Sequence, residues 1–448
     1  MTKVPSIVVV GAGSAVFGLS FLQDLFQAEA LRGSSLWLVD VNPQALARMQ
    51  RLADRLNAAA GAAIRVQGTT LLDEALPGAN FVVTSVAVDR IPSWQADHKL
   101  ALRHGFASVL SENGGPGGLS HTLRSVPLML GIAQQVQRLA PGAWLLNYTN
   151  PENRVCLAIS RYTNVRTIGL CHGVAATIEW ACGLLGREQH ELDMVAVGVN
   201  HFTWVTSLTD RRTGYDLMPA FDSALEGLPD DVWPLCRYTY RRLGTFPTTG
   251  DDHVGEYLPW AAGIIGTKGY DFEAFTREAS ETAARIERWG AGVDPVDALL
   301  AEPSFEARVN HSAARLIADM VAGEDGHRPS FIVPNDGLVP GLAPDSVVEV
   351  PGRLARGVPR GRALETELPV AVRALVEREQ EIQSLAVDAA VTGSRDLALR
   401  ALLVDPLVHD ARAAEAFLEE ALQRHRAYLP RFWADGAEQP LGGTIVVS

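Results

Sequence analysis

One stretch constrains the fold of this chain more than any other: the apolar run Ile7 to Val10, followed at once by Gly11, Ala12, Gly13 and Ser14. A strand with no polar alternation is buried on both faces, as in parallel sheets covered by helices. Gly11 and Gly13 permit the tight turn and close backbone approach that a pyrophosphate requires at a helix N-terminus. Ser14 extends the same loop. Asp40 closes the next strand-like segment, "SLWLVDVN", where a carboxylate can accept hydrogen bonds from an adenosine ribose and would repel a 2′-phosphate. The spacing therefore predicts a dinucleotide site that takes NAD rather than NADP. Gly18 comes two places later than the third glycine of the usual fingerprint, with Ala15 and Val16 before it.

The alternation continues. "FLQDLFQAEALRG" and "ALARMQRLADRLNAAAG" have helical spacing, "FVVTSVAV" reads as a third buried strand, and "SVPLMLGIAQQVQRLAPG" with "AWLLNYTNP" repeats the unit. An α/β fold is expected. Residues 1–193 form a Rossmann-type, doubly wound parallel sheet that binds NAD. Residues 194–448 form a mixed α+β domain for substrate, metal and oligomerisation, the whole resembling lactate and malate dehydrogenases. From Val195 the texture changes to strands with polar interruptions, and 331–357 is rich in proline and glycine and reads as extended chain.

Composition narrows the function. With 448 residues, 47% of them hydrophobic, the chain can bury a large core. No apolar run approaches the roughly 18 residues of a membrane span. The segment before Ile7 lacks the pattern of a secretory leader. Four cysteines in so long a chain make no disulfide framework, so a reduced, cytoplasmic protein is expected. A net charge of −13 argues against a nucleic-acid partner.

A second chemical signal is Cys171 in "TIGLCHGV" with His201 in "VAVGVNHFTWV", each at a break in an apolar strand. A thiolate and an imidazole suit a divalent transition metal and leave positions open for substrate oxygens. Taken alone, each also fits a structural role, since free cysteine commonly acts as a small buried hydrophobe.

The ordered motifs "VVGAGS", "LVDVNP", "GGPGGLSHTLRSVP", "NYTNPEN", "GLCHGV", "VNHFTW" and "FPTTGDDHVGEY" resemble the family-four glycoside hydrolases. These are NAD- and manganese-dependent glycosidases, and the likeness, closest to their α-galacturonidase/α-galactosidase branch, covers nearly the whole chain. The late stretches "VPNDGLVPGLAPDSVVEVP" and "ALLVDPL" extend it. The family stands outside the two-carboxylate scheme of glycoside hydrolysis. The resemblance implies oxidation at sugar C3 by NAD, metal-assisted removal of the C2 proton, elimination of the aglycone, addition of water and return of the hydride.

The resemblance also implies roles. Cys171 and His201 match the metal ligands. Asn150 matches an asparagine that holds sugar hydroxyls beside cofactor and metal. Glu112 falls where relatives carry an aspartate, as acid to the leaving group. For the C2 base, Asp251 is the first candidate, with Tyr240 and His253 as alternatives and Glu256 as a supporting residue. His172 is a sugar contact or a donor to a metal ligand, and His253 also faces substrate. Arg124 either orients an anionic substrate group or binds a helix end. Glu152 beside Asn150 would discourage an anionic sugar. The expected substrate is a small glycoside of an unphosphorylated sugar or uronide, and the expected assembly a homodimer or homotetramer. Two rivals remain, a hydroxy-acid or sugar dehydrogenase and a non-catalytic NAD sensor.

Overall fold

Ile7, Val8 and Val9 are fully buried, and the strand they build lies at the heart of a 12-stranded sheet. The computed structural model describes residues 4–15 and 17–433; Val16 of the glycine loop, with 1–3 and 434–448, lies outside the described residues. The strands are β1 (Ser6–Val10), β2 (Ser35–Val39), β3 (Arg65–Thr69), β4 (Phe81–Thr84), β5 (Trp144–Asn147) and β6 (Arg166–Gly169). Then follow β7 (Leu192–Val199), β8 (Phe202–Asp210), β9 (Phe246–Pro247), β10 (Gly326–Pro334), β11 (Val347–Ala355) and β12 (Val358–Gly361).

The first six run parallel in the order β3-β2-β1-β4-β5-β6, the doubly wound arrangement that the alternation predicts. Beyond β6 the sheet continues antiparallel through β10, β11, β7, β8 and β9, with β12 on β11. The proline- and glycine-rich stretch thus supplies β10 and β11. One apolar cluster reaches from Ile7 to Val376, so both halves of the chain share a core as well as a sheet.

Local chemistry sets the helix ends. Asn42 caps the helix Pro43–Ala60 by accepting from the amides of Gln44 and Ala45, and Gly61 ends it in the left-handed region at φ 58°. Its buried residues Leu46, Met49, Leu52, Ala53 and Leu56 recur at helical spacing and face the sheet. No described helix is long and apolar enough to cross a membrane.

The loops after β1, β2, β4, β5 and β6 all leave the carboxyl ends of parallel strands, where open α/β sheets bind ligands. Asn200 and His201 form the two-residue turn between β7 and β8, closed by the Val199–Phe202 pair. His201 sits there at φ 64°, a left-handed conformation uncommon outside glycine.

Candidate active site

The glycine loop is built for close approach. A Cβ on Gly11, whose φ is 84°, would fall 2.1 Å from the carbonyl oxygen of Ser85. Asp40 accepts the amide of Gly13 through one oxygen (2.7 Å) and that of Asn42 through the other (2.9 Å). A Cβ on Gly13 would meet that carboxylate at 2.7 Å. The displaced third glycine keeps its packing role: a Cβ on Gly18 would lie 2.7 Å from the Ala12 carbonyl and 2.9 Å from Met49.

Gly11, Gly13, Ser14 and Asp40 line one end of a cleft of about 360 Å³. Arg90, Glu112, His121, Tyr148 and Asn150 also line it. The predicted dinucleotide residues and two predicted chemical residues therefore share one cavity.

Beyond Glu112 the polar groups converge. The donor atoms of Glu112, His201 and His253 lie within 4.8 Å of one another, a spacing able to hold a cation. The His201 and His253 rings are 4.1 Å apart between centroids. Asn150 donates to Glu112 Oε1 at 3.3 Å, and Arg90 stands 3.8 Å from the same oxygen. The amide of Asn113 lies 2.9 Å from His201 Nδ1, the kind of outer partner that fixes an imidazole. His121 Nδ1 pairs with the Glu112 carbonyl at 2.8 Å. Asn150 Oδ1 and Asn113 Oδ1 are buried without a hydrogen-bond partner, while Glu256 Oε1 and His253 Nδ1 face each other 3.6 Å apart as an ion pair. Two orphaned amide oxygens beside one cluster fit a bound ligand or cation, because unpaired buried polar atoms are costly.

The electrostatics differ from ring to ring. Burial drives His201 well below the usual histidine range, helped by His253 and His172. Burial acts the same way on His253, but the carboxylates of Glu256, Asp252 and Glu112 outweigh it and lift His253 to about 9. Leu170 separates Cys171 from the end of β6, and burial together with Glu349 and Glu152 pushes the Cys171 thiol up. Glu349 on β11 receives Ser330 Oγ (2.7 Å) and Asn200 Nδ2 (3.1 Å), and burial lifts it to about 7. Cys171 is not a member of the three-residue group. His172, the N-cap of the helix Gly173–Leu185, is exposed, with Phe305 6.0 Å away.

Four expectations are revised by position. Asp251 is tied to the backbone, its two oxygens accepting the amides of Leu235 (3.0 Å) and Cys236 (2.8 Å) at the start of the helix Pro234–Leu243. Arg124 is buried in the helical layer and paired with Asp97 at 2.6 Å, so it meets no substrate. Glu152 is buried and accepts the Leu170 amide, with burial and Glu349 raising its pKa above the usual carboxyl range, so it faces the core and not a sugar. Tyr240 lies edge-on to Phe246 and bonds Asp222, away from the cluster.

Glu256 carries more than its sequence position suggested. Its Oε2 accepts the amides of Glu112 (2.6 Å), Asn113 (2.7 Å) and Gly114 (3.0 Å). Arg90, Asn113, His121 and Glu349 escaped sequence reasoning, because ordinary polar residues give no spacing signal; only the adjacency of Asn113 to Glu112 hinted at it.

Residues 6–184 match the profile described as Family 4 glycosyl hydrolase, and residues 196–408 match its C-terminal domain. The chain is a family 4 glycosyl hydrolase. This glycosidase is 29% identical to an alpha-glucosidase of Erwinia rhapontici over 94% of its own length and 98% of that protein's. It superposes on a 6-phospho-alpha-glucosidase from gut microorganisms, solved with NAD and Mn2+, at a TM-score of 0.83. That match covers 96% of this chain and 99% of the other at 21% identity, and is a likeness of fold. The putative glucosidase lplD from Bacillus subtilis gives 0.82 at 25% identity, covering 93% and 100%.

Proposed function

We propose that this family 4 glycosidase cleaves the O-glycosidic bond of an unphosphorylated sugar or uronide by transient oxidation and elimination, with NAD and a divalent metal, Mn2+ for choice. The observation that carries the reading is the cluster of Glu112, His201 and His253 at the end of the cleft that starts at Gly11 and Asp40. Direct displacement needs no dinucleotide loop beside the acid. Bound NAD would supply reversible oxidation of a sugar carbon, and a divalent cation a Lewis acid for the neighbouring oxygens.

The chain's own residues do the rest. Gly11, Gly13, Ser14 and Asp40 hold the dinucleotide, and Asn150 spans cofactor and sugar. His201, with Cys171, would hold the cation. Glu112 donates a proton to the departing oxygen. His172, exposed beside Cys171, orients the sugar. We assign the C2 proton to His253, because Asp251 and Tyr240 are engaged elsewhere. A cation held beside His201 would favour the unprotonated imidazole that this role needs of His253.

A screen of aryl glycosides and uronides with NAD, Mn2+ and a reductant, each omitted in turn, tests the reading. Sugar release that needs all three and leaves the NADH level flat is expected. Stoichiometric NADH would instead identify a dehydrogenase.

A further inference from the structure

An aromatic cluster adjoins Arg90, a residue that lines the cleft, and takes no part in the chemistry above. Trp94 is buried and stacks on Tyr270 with centroids 4.8 Å apart, its indole N–H fixed on the Leu110 carbonyl at 2.8 Å. Phe272 meets Trp94 edge-on at 5.0 Å, and Phe275 lies 5.7 Å from Tyr270. The cluster is anchored, yet Tyr270 is 36% exposed. Arg90 rests over the Phe275 ring at 5.0 Å and stands 3.8 Å from Glu112, with 48% of its side chain open to solvent. Tyr270 therefore offers part of its ring to solvent beside an arginine that lines the cleft, a surface open to a ligand. A guanidinium held by its face on a ring, with Nη2 turned to Glu112, keeps its other N–H groups for a planar anion.

From this arrangement we infer that Tyr270 and Arg90 form a leaving-group subsite that stacks a second sugar ring and pairs with its carboxylate. The inference rests on the glycosidase reading, with Glu112 as the acid that serves the departing oxygen. Whatever departs leaves past Glu112, and Arg90 with its aromatic neighbours is the surface that Glu112 adjoins. The C–H face of a pyranose matches an aromatic face, and the cation selects a uronate over a neutral hexose. The natural substrate class is accordingly an oligosaccharide whose leaving portion begins with a hexuronic acid.

The test uses the full chain with NAD and Mn2+ and three substrates of one glycone: its methyl glycoside, a disaccharide ending in a hexose, and one ending in a hexuronate. In the wild type, kcat/KM is expected to be highest for the hexuronate. In Tyr270→Ala, the ratio of disaccharide to methyl-glycoside kcat/KM should fall at least about tenfold, on the scale of a lost stacking or anchoring contact. In Arg90→Gln, the preference for hexuronate over hexose should vanish. Equal losses on all three substrates, or an intact uronate preference in Arg90→Gln, overturn the subsite. If the wild type cleaves no glycoside, the glycosidase reading fails separately. Calorimetric titration with free galacturonate then decides: tenfold weaker binding in both variants supports the subsite, and unchanged binding ends it.

Discussion

Glu256 Oε2 lies 2.6 Å from the backbone nitrogen of Glu112, although 144 residues separate the two in the chain. The same oxygen gathers the amides of Asn113 and Gly114, so one carboxylate shapes the turn that opens the helix Gly115–Leu139. One residue of that turn is left-handed at a cost, Ser111 at φ 64°, whereas Gly115 takes φ 65° freely. Glu256 thereby fixes where Glu112 points and where Asn113 meets His201.

Glu256→Gln keeps the shape but removes the charge that three N–H groups share. Hydrogen bonds to a charged group are worth about 1.5–3 kcal/mol. We expect kcat/KM to fall roughly ten- to a hundredfold, with the far-UV spectrum unchanged and a modest drop in Tm. Steady-state rates beside a thermal melt check this, and wild-type kcat/KM would remove Glu256 from the positioning role.

Cys171→Ser or His201→Ala should abolish glycoside cleavage and leave the fold intact. Calorimetric titration with Mn2+ should show binding lost in His201→Ala and weakened by at least about tenfold in Cys171→Ser, a range typical of perturbed metal sites. Undiminished turnover in either variant, or full activity after EDTA dialysis, would take the metal out of the reaction.

Asp40 should set the choice of dinucleotide. With its carboxylate held by Gly13 and Asn42, it faces the cleft as a fixed negative group. Asp40→Ala is expected to weaken NAD by at least about tenfold while NADP gains relative to it, as expected when a ribose-binding carboxylate is lost. A wild-type protein that already binds NADP more tightly than NAD contradicts this.

The dinucleotide half was legible because its chemistry is local. Glycine is required where Gly11 adopts φ 84° against Ser85, and Asp40 closes a strand that pairs with β1. His201 was visible for the same reason, as a polar break between two apolar runs that proved to be a hairpin turn. Asp251 and Arg124 misled, since a carboxylate and a guanidinium look alike in sequence whether they meet a substrate or a neighbour. Their partners, the amides of the helix Pro234–Leu243 and Asp97, are set by packing.

Arg124 offers a direct test of that distinction. Burial alone would raise Asp97, but Arg124 and His425 overcome it and hold the carboxyl at about 2, below its model-peptide value of 3.8. A depressed carboxyl contributes stability that is complete above its unfolded pKa and is lost as pH falls from about 4 toward 2. The loss should be on the order of 2 kcal/mol in acid unfolding. Arg124→Met strands a buried charge and should cost about 3–5 kcal/mol. Folded protein that survives should keep its KM; a raised KM with unchanged stability would return Arg124 to the substrate.

The elimination chemistry itself leaves an isotopic record. If the C2 proton passes to a base such as His253 and is replaced from solvent, turnover in D₂O must place deuterium at C2 of the released sugar. Direct displacement at C1 leaves that C–H bond intact, because nothing acidifies it. A slowing by deuterium at C3 would support hydride transfer, but slow product release can mask it, so exchange at C2 is the sharper observable. His253→Ala should lower both turnover and exchange in parallel if His253 carries the proton. Full retention of hydrogen at C2 over many turnovers, read by NMR on the product, would sink the elimination route even with NAD and metal both essential.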